Sequence, residues 1–374
     1  MNILKKAFGK TVAFIFVLIQ LSLFSSITAQ WNFAISTQQE FNSNPFRSVD
    51  SYSDFISSYN FGIDREFDDF SILYYGNYTG FKTANDINYY WHQFGLYQET
   101  ESIIWGLYFE QRINKEENNY YDYFNYAGYI RKSFNYGSIN WKANLSFSVM
   151  DYSEIPDFNN WIASARISGN KSFETKTTFI GTLIFNYKGF KNFTPDSTYG
   201  SDNLYYIEEN VNISQIEFNG RIAQSLFENT GLALNFNYKN ILSGSGFSAS
   251  LMESTYGDME LYDDPVSQEG YSFGGMLTQM LPSDITFRLS YYYLSKIYPS
   301  QGIYLSDIEY NEDIAREDEQ SNFSLNLSKS FIVNEETGSE LNLMLKYYLI
   351  KNKSNSYYFN YDMNAVSVSL NYIF

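Results

Sequence analysis

Val366-Ser-Val-Ser-Leu-Asn-Tyr-Ile-Phe374 ends the chain. Successive side chains of a strand point to opposite faces. Val366, Val368, Leu370, Tyr372 and Phe374 therefore share one face, and Ser367, Ser369 and Asn371 the other. The apolar face runs to the last residue, with no later segment to cover it, so its expected cover is lipid. Only helices and closed barrels satisfy every backbone polar group inside a bilayer. The stretch thus predicts the closing strand of a transmembrane β-barrel.

The other end agrees. Lys5, Lys6 and Lys10 precede an apolar run from Val12 to Phe24, broken by Gln20 and Ser22, and small residues follow in Ser25-Ser-Ile-Thr-Ala-Gln30. This pattern reads as a secretory signal peptide, residues 1–29, cleaved after Ala29, with the barrel occupying 30–374. The sequence holds 0 Cys, which excludes a lipoprotein anchor, disulfides, thiolate-bound metal and covalently attached haem.

Composition narrows the class further. Aromatics reach 20%, mainly 36 Tyr and 33 Phe, while charged residues make up 18%. No apolar run after the signal is long enough for a membrane helix. The formal charge of −17 becomes −20 once the three signal lysines are removed. So acidic a chain lacks the basic footprint of a nucleic-acid binder.

Period-2 alternation recurs from Trp31 onward. In Ile139–Val149 the odd positions are Ile139, Trp141, Ala143, Leu145, Phe147 and Val149, with Asn140, Lys142, Asn144, Ser146 and Ser148 between them. Leu341–Leu349, Leu232–Tyr238 and Ile285–Tyr293 repeat it. About sixteen such strands of roughly 10 residues fit, the length that crosses a bilayer at a tilt. Connections alternate short and long. Asp68-Asp69, Asn135–Gly137 and Pro282–Asp284 are short; Asn42–Asp54, Lys191–Asn212, Ile241–Gly270 and Lys296–Gln320 are long. A soluble sandwich also alternates in hydropathy, but it explains neither the aromatic excess nor the loop asymmetry. The predicted fold is all-β: an antiparallel up-and-down barrel with short periplasmic turns and long outer loops.

At this point the chain resembles the bacterial outer-membrane β-barrel proteins, porin-like and of the Bacteroidota type, over its whole mature length. The resemblance rests on the Ala29-Gln30 junction, the terminal Asn371-Tyr-Ile-Phe374 and the Tyr/Asn-rich strands. It implies an outer-membrane location and an outer-membrane lipid environment. It also implies that Tyr372 and Phe374 form the signal read by the barrel-assembly machinery.

If the apolar face meets lipid, parity turns the other face to the lumen. Arg112, Arg131, Lys142, Arg166, Lys188, Arg221, Lys239, Arg288 and Lys346 then line the interior, against few inward acids, with Glu110 and Glu217 the clearest. Lumen charges tune selectivity. The expected function is a porin-like channel for passive diffusion of small polar or anionic solutes. The competing reading is that acidic loops fold inward and pair with these cations. The acids cluster in loops, at Glu208-Glu209, at Asp258, Glu260, Asp263 and Asp264, and from Glu309 to Glu319. They read as solvated charge, without the spacing of a cation site. The Ile241–Gly270 loop is the longest, and lumen and surface placements both remain open for it. Two other classes stay in view: a barrel that anchors surface binding or adhesion, and a component of a larger secretion or electron-transfer assembly.

The aromatics read as interface girdles rather than sugar platforms. Catalysis would have to use His92, the sole histidine, in Tyr89-Tyr-Trp-His-Gln-Phe94. Nothing in the sequence sets a nucleophile against it, and parity with Phe94 and Leu96 turns it toward lipid. No enzyme, cofactor or metal site is predicted.

Overall fold

A computed structural model describes residues 31–68, 70–190, 212–244 and 263–374. The signal-peptide reading at 1–29 and the Glu208-Glu209 pair lie outside the described residues.

The strands follow in chain order. They begin with β1 (Asn32–Asn42), β2 (Asp54–Glu66), β3 (Ser71–Phe81), β4 (Tyr89–Glu99), β5 (Ile103–Asn114) and β6 (Tyr123–Tyr136). Next come β7 (Ile139–Tyr152), β8 (Asn160–Ser172), β9 (Thr177–Phe190), β10 (Asn212–Phe227), β11 (Thr230–Gly244) and β12 (Glu269–Leu281). The last are β13 (Ile285–Tyr298), β14 (Ile303–Tyr304), β15 (Tyr310–Asn311), β16 (Arg316–Asn334), β17 (Ser339–Ser354) and β18 (Tyr361–Ile373). All but β14 and β15 pair with their neighbours, and β18 returns to β1, giving a closed antiparallel barrel of sixteen strands. The β14–β15 pair is a small separate hairpin in an outer loop. The fold expected from the alternation is the fold observed.

Closure is made at the termini. Phe33 and Phe374 exchange both backbone hydrogen bonds, at 2.8 and 3.0 Å. The Phe374 ring stacks on Phe33 at 5.3 Å and on Tyr372 at 5.1 Å. The carboxyl-terminal apolar face therefore seals the seam that leaves a barrel without an edge.

Paired residues across a ladder share a face. Val368, Leu345, Leu327 and Phe287 follow one another across β18, β17, β16 and β13, and this face is the exterior. Leu145, Phe147, Leu107, Phe94 and Phe273 all stand exposed there. So broad an apolar belt on a single chain needs a lipid cover. Ser367, Lys346, Asn326 and Arg288 follow one another on the opposite face.

Buried residues gather inside the outer half of the barrel. Gln215, Asn42, Tyr298 and Ser356 are fully buried there. On the β5–β9 side, Tyr121, Tyr152 and Phe158 form an aromatic cluster joined by Tyr123, Met150 and Phe190. Two glycines serve close approach. The Tyr292 ring lies across Gly274, where a Cβ would meet Tyr292 Cδ1 at 2.3 Å and the Tyr291 carbonyl at 2.4 Å. Gly270, at φ +133°, brings the chain into β12 with no room for a Cβ beside the Ser295 carbonyl, 2.0 Å away.

Candidate functional site: the barrel lumen

Barrel closure requires strands to tilt and stagger, so a row of paired residues climbs as it passes round the wall. One such row runs Ile104, Arg131, Asn144, Arg166, Ile184, Glu217, Lys239, Gly270, Lys296 and Asp318. It starts one residue from the periplasmic end of β5 and finishes two residues from the outer end of β16. Four cations stand on this staircase. A second row runs Arg288, Asn326, Lys346, Ser367 and Glu40. Lys142 lies between Ser133 and Ser168, Arg221 between Ile180 and Asn235, and Arg112 between Trp91 and Tyr123. Lys188 pairs with Ile162. All nine cations named from the sequence thus share the face opposite the apolar belt.

Their surroundings divide them. Arg131, Lys142, Arg166 and Arg288, in the middle and periplasmic parts of the barrel, are exposed. An inward side chain of a closed barrel is exposed only where the lumen has room for water. None of these four makes an ion pair among the described residues. Toward the outer end the cations are enclosed. Arg112 is 6% exposed, lies over the Tyr89 ring at 4.2 Å, and donates from Nε to Asn114 Oδ1 at 3.1 Å. Lys188 is 2% exposed and pairs with Asp264 at 3.1 Å.

Asp264 belongs to the long loop whose placement the sequence left open. Its last part, residues 263–268, folds into the lumen as a strap. Gln215 Nε2 donates to the carbonyls of Pro265, Val266 and Gln268 at 2.9, 3.1 and 2.8 Å. Lys239 Nζ donates to the Pro265 carbonyl at 3.1 Å, and Lys296 Nζ reaches both Asp263 oxygens at 3.2 and 2.8 Å. Beside it, Arg316 is bound to Asp318 and lies over the Phe359 ring at 3.3 Å. From the β1–β2 loop, Phe46 stacks on Phe81 at 5.9 Å, and Arg47 lines a 260 Å³ cavity with Lys239, Asp263 and Lys296.

Two expectations are corrected by this geometry. Asp263 and Asp264 are not solvated loop charge; they are enclosed counter-ions of lumen cations. For Lys188 the competing reading, an inward-folded acidic loop, is the observed one. Burial alone would push the Asp263 carboxyl up, but Lys296, Arg316 and Arg47 overcome it and hold the group below the usual carboxylate range. With its pKa depressed, its pairing contributes stability above the unfolded value of about 3.9. That contribution is lost as pH falls through the lower folded value.

Sequence reasoning missed Gln215, Lys296, Arg316 and Arg47. Gln215 and Lys296 sit at inward parity, and that signal was available. Arg316-Glu-Asp-Glu-Gln-Ser321 is polar throughout, so no alternation marks it as the start of β16. His92 lies on the exterior face, where its Nδ1 and the Tyr74 hydroxyl share a hydrogen bond of 2.9 Å. Its strand neighbour Phe94 is 51% exposed.

This architecture is shared with solved structures. OccAB1 of Acinetobacter baumannii aligns over 92% of this chain and 96% of its own, with TM-score 0.56 and 9% identity. OpdK of Pseudomonas aeruginosa, solved with vanillate, aligns over 92% and 98%, with TM-score 0.52 and 8% identity. OccAB3 of A. baumannii aligns over 93% and 100%, with TM-score 0.50 and 7% identity. The chain has the fold of a porin-type outer-membrane β-barrel. No protein-family model and no curated protein matches its sequence.

Proposed function

We propose that this chain is an outer-membrane channel for passive diffusion of small polar and anionic solutes. The observation that carries this reading is the staircase of cations, whose middle and periplasmic members stand exposed and unopposed in the lumen. A channel selects by the sign of the charge along its wall. Arg131, Lys142, Arg166, Arg221, Lys239, Arg288 and Lys346 are its lining cations, Arg112 and Lys188 are enclosed behind the outer constriction, and the strap and the β1–β2 loop set the narrow part toward the outside. The apolar belt supports a lipid setting, and the shape shared with OccAB1 and OpdK supports a pore. The test is single-channel recording of the folded protein in a planar bilayer under a salt gradient. Open steps with a reversal potential of anion-selective sign are expected. A folded protein that never conducts would refute the channel and favour the surface-anchor reading.

Under the same proposal Tyr372 and Phe374 are the assembly signal, supported by their place on the closing seam. Deleting Phe374 removes one ring stack on Phe33 and both terminal backbone hydrogen bonds. The fraction migrating as a folded, heat-modifiable species from cells is expected to fall severalfold. An unchanged folded fraction would remove the role.

A further inference from the structure

Asp263 sits as a solute carboxylate would sit. Lys296 donates to both of its oxygens, and Arg316 Nη2 lies 4.0 Å away. The adjoining 260 Å³ cavity adds Arg47 and Lys239, the amide side chains of Asn237, Gln268, Gln320 and Asn322, and one wall carboxylate, Glu269, which accepts from the Ile241 N–H at 2.9 Å. This is a small-ligand lining: cations to hold an anionic group, amides to hydrogen-bond around it, and a volume below that of drug-sized pockets.

Charge identifies which part is occupant and which is site. Five cations, Arg47, Lys188, Lys239, Lys296 and Arg316, meet five carboxylates, Glu217, Asp263, Asp264, Asp318 and Glu269, the last of which opens β12 and lines the cavity. Glu217 and Asp318 stand on strands of the wall. Asp263 and Asp264 belong to the strap and are held only while it stays folded inward. With the strap withdrawn, five cations would face the three wall carboxylates Glu217, Glu269 and Asp318, an excess of two positive charges.

We propose that Asp263 is a built-in occupant of a carboxylate-binding subsite, and that a small organic acid binds by replacing it on Lys296, Arg47 and Lys239. The inference rests on the channel reading for the route by which the acid arrives. An internal ligand taxes an external one, because the apparent dissociation constant is divided by the fraction of sites standing empty. Removing the Asp263 charge lifts that tax without touching the wall.

The experiment is ¹⁹F NMR titration of trifluoroacetate into the folded protein in detergent micelles, with folding checked by heat-modifiable migration. D263N is expected to bind about tenfold more tightly than the native protein, and D263N/K296Q to lose that gain. Equal affinity with and without Asp263, or binding that survives the loss of Lys296, would overturn the subsite. Gln215→Leu frees the strap while keeping both carboxylates; its affinity is expected to lie between the two, and it carries the comparison should D263N not fold. Binding is read without a current, so the two readings fail separately. A protein that binds as expected but never conducts keeps the subsite and loses the channel. An anion-selective pore whose affinity ignores Asp263 keeps the channel and loses the subsite.

Discussion

Replacing Arg131, Lys142 and Arg166 together by Gln is expected to cut the anion preference of the pore severalfold and leave the barrel folded. The three side chains are exposed in the lumen, and none makes an ion pair among the described residues. Their loss therefore strands no buried counter-charge. Arg131 and Arg166 flank Asn144 on one row, and Lys142 is two residues before Asn144 on the same face, so an ion passing one meets the field of all three. A unit charge at about 8 Å in water is worth ~0.5 kcal/mol. Three lower an anion by about 1.5 kcal/mol and raise a cation by as much, on the order of a hundredfold bias of anion over cation at low salt. Screening over a Debye length of about 10 Å at 0.1 M reduces this to roughly tenfold. The reversal potential should move toward zero in the triple variant, with a larger shift at 0.01 M salt than at 0.1 M. A potential unmoved at both concentrations would place the selecting charges elsewhere.

Gln215→Leu is expected to release the strap and enlarge the conductance. Gln215 is fully buried, and its one amide nitrogen serves three strap carbonyls. Leucine keeps most of the volume and removes the donor. Each carbonyl left enclosed without a partner costs about 1–3 kcal/mol. A strap moving into water recovers that cost, so the inward position loses several kcal/mol relative to the outward one. The Lys188–Asp264 and Lys296–Asp263 pairs remain and oppose release. Acid removes the second of these, because protonating Asp263 discharges its pair with Lys296. Since the Asp263 carboxyl is held below its usual range, the native conductance should be level from pH 7 to about 5. It should rise only below about pH 4. In Gln215→Leu the steps should already be large at pH 7 and change less on acidification. Identical steps in both proteins across that range would mean that the strap does not narrow the pore.

Seen together, these effects place selectivity and width in different parts of one lumen. On the proposed reading the inner staircase would set the sign of the ion and the strap at the outer end the aperture, with Lys239 and Lys296 shared between them.

The faces of the strands were legible in the sequence because alternation is local. Once Val366, Val368 and Leu370 are assigned to lipid, Ser367 and Ser369 can point only inward. The same parity turned Lys142, Arg166 and Arg288 to the lumen without any knowledge of their neighbours. The closing strand and His92 on the exterior follow from that one rule, and the spacing between the alternating stretches gave the loop asymmetry. Which cations stand beside which acids was not legible. The row joining Arg131 to Lys296 is set by the stagger of the closed barrel, a property of all sixteen strands at once. The strap depends on partners far apart in the chain: Asp264 meets Lys188 across 76 positions and Gln268 meets Gln215 across 53. Period and composition determine which way a side chain points. Only closure and loop folding, which balance burial against charge over the whole lumen, decide whether it meets water or a carboxylate.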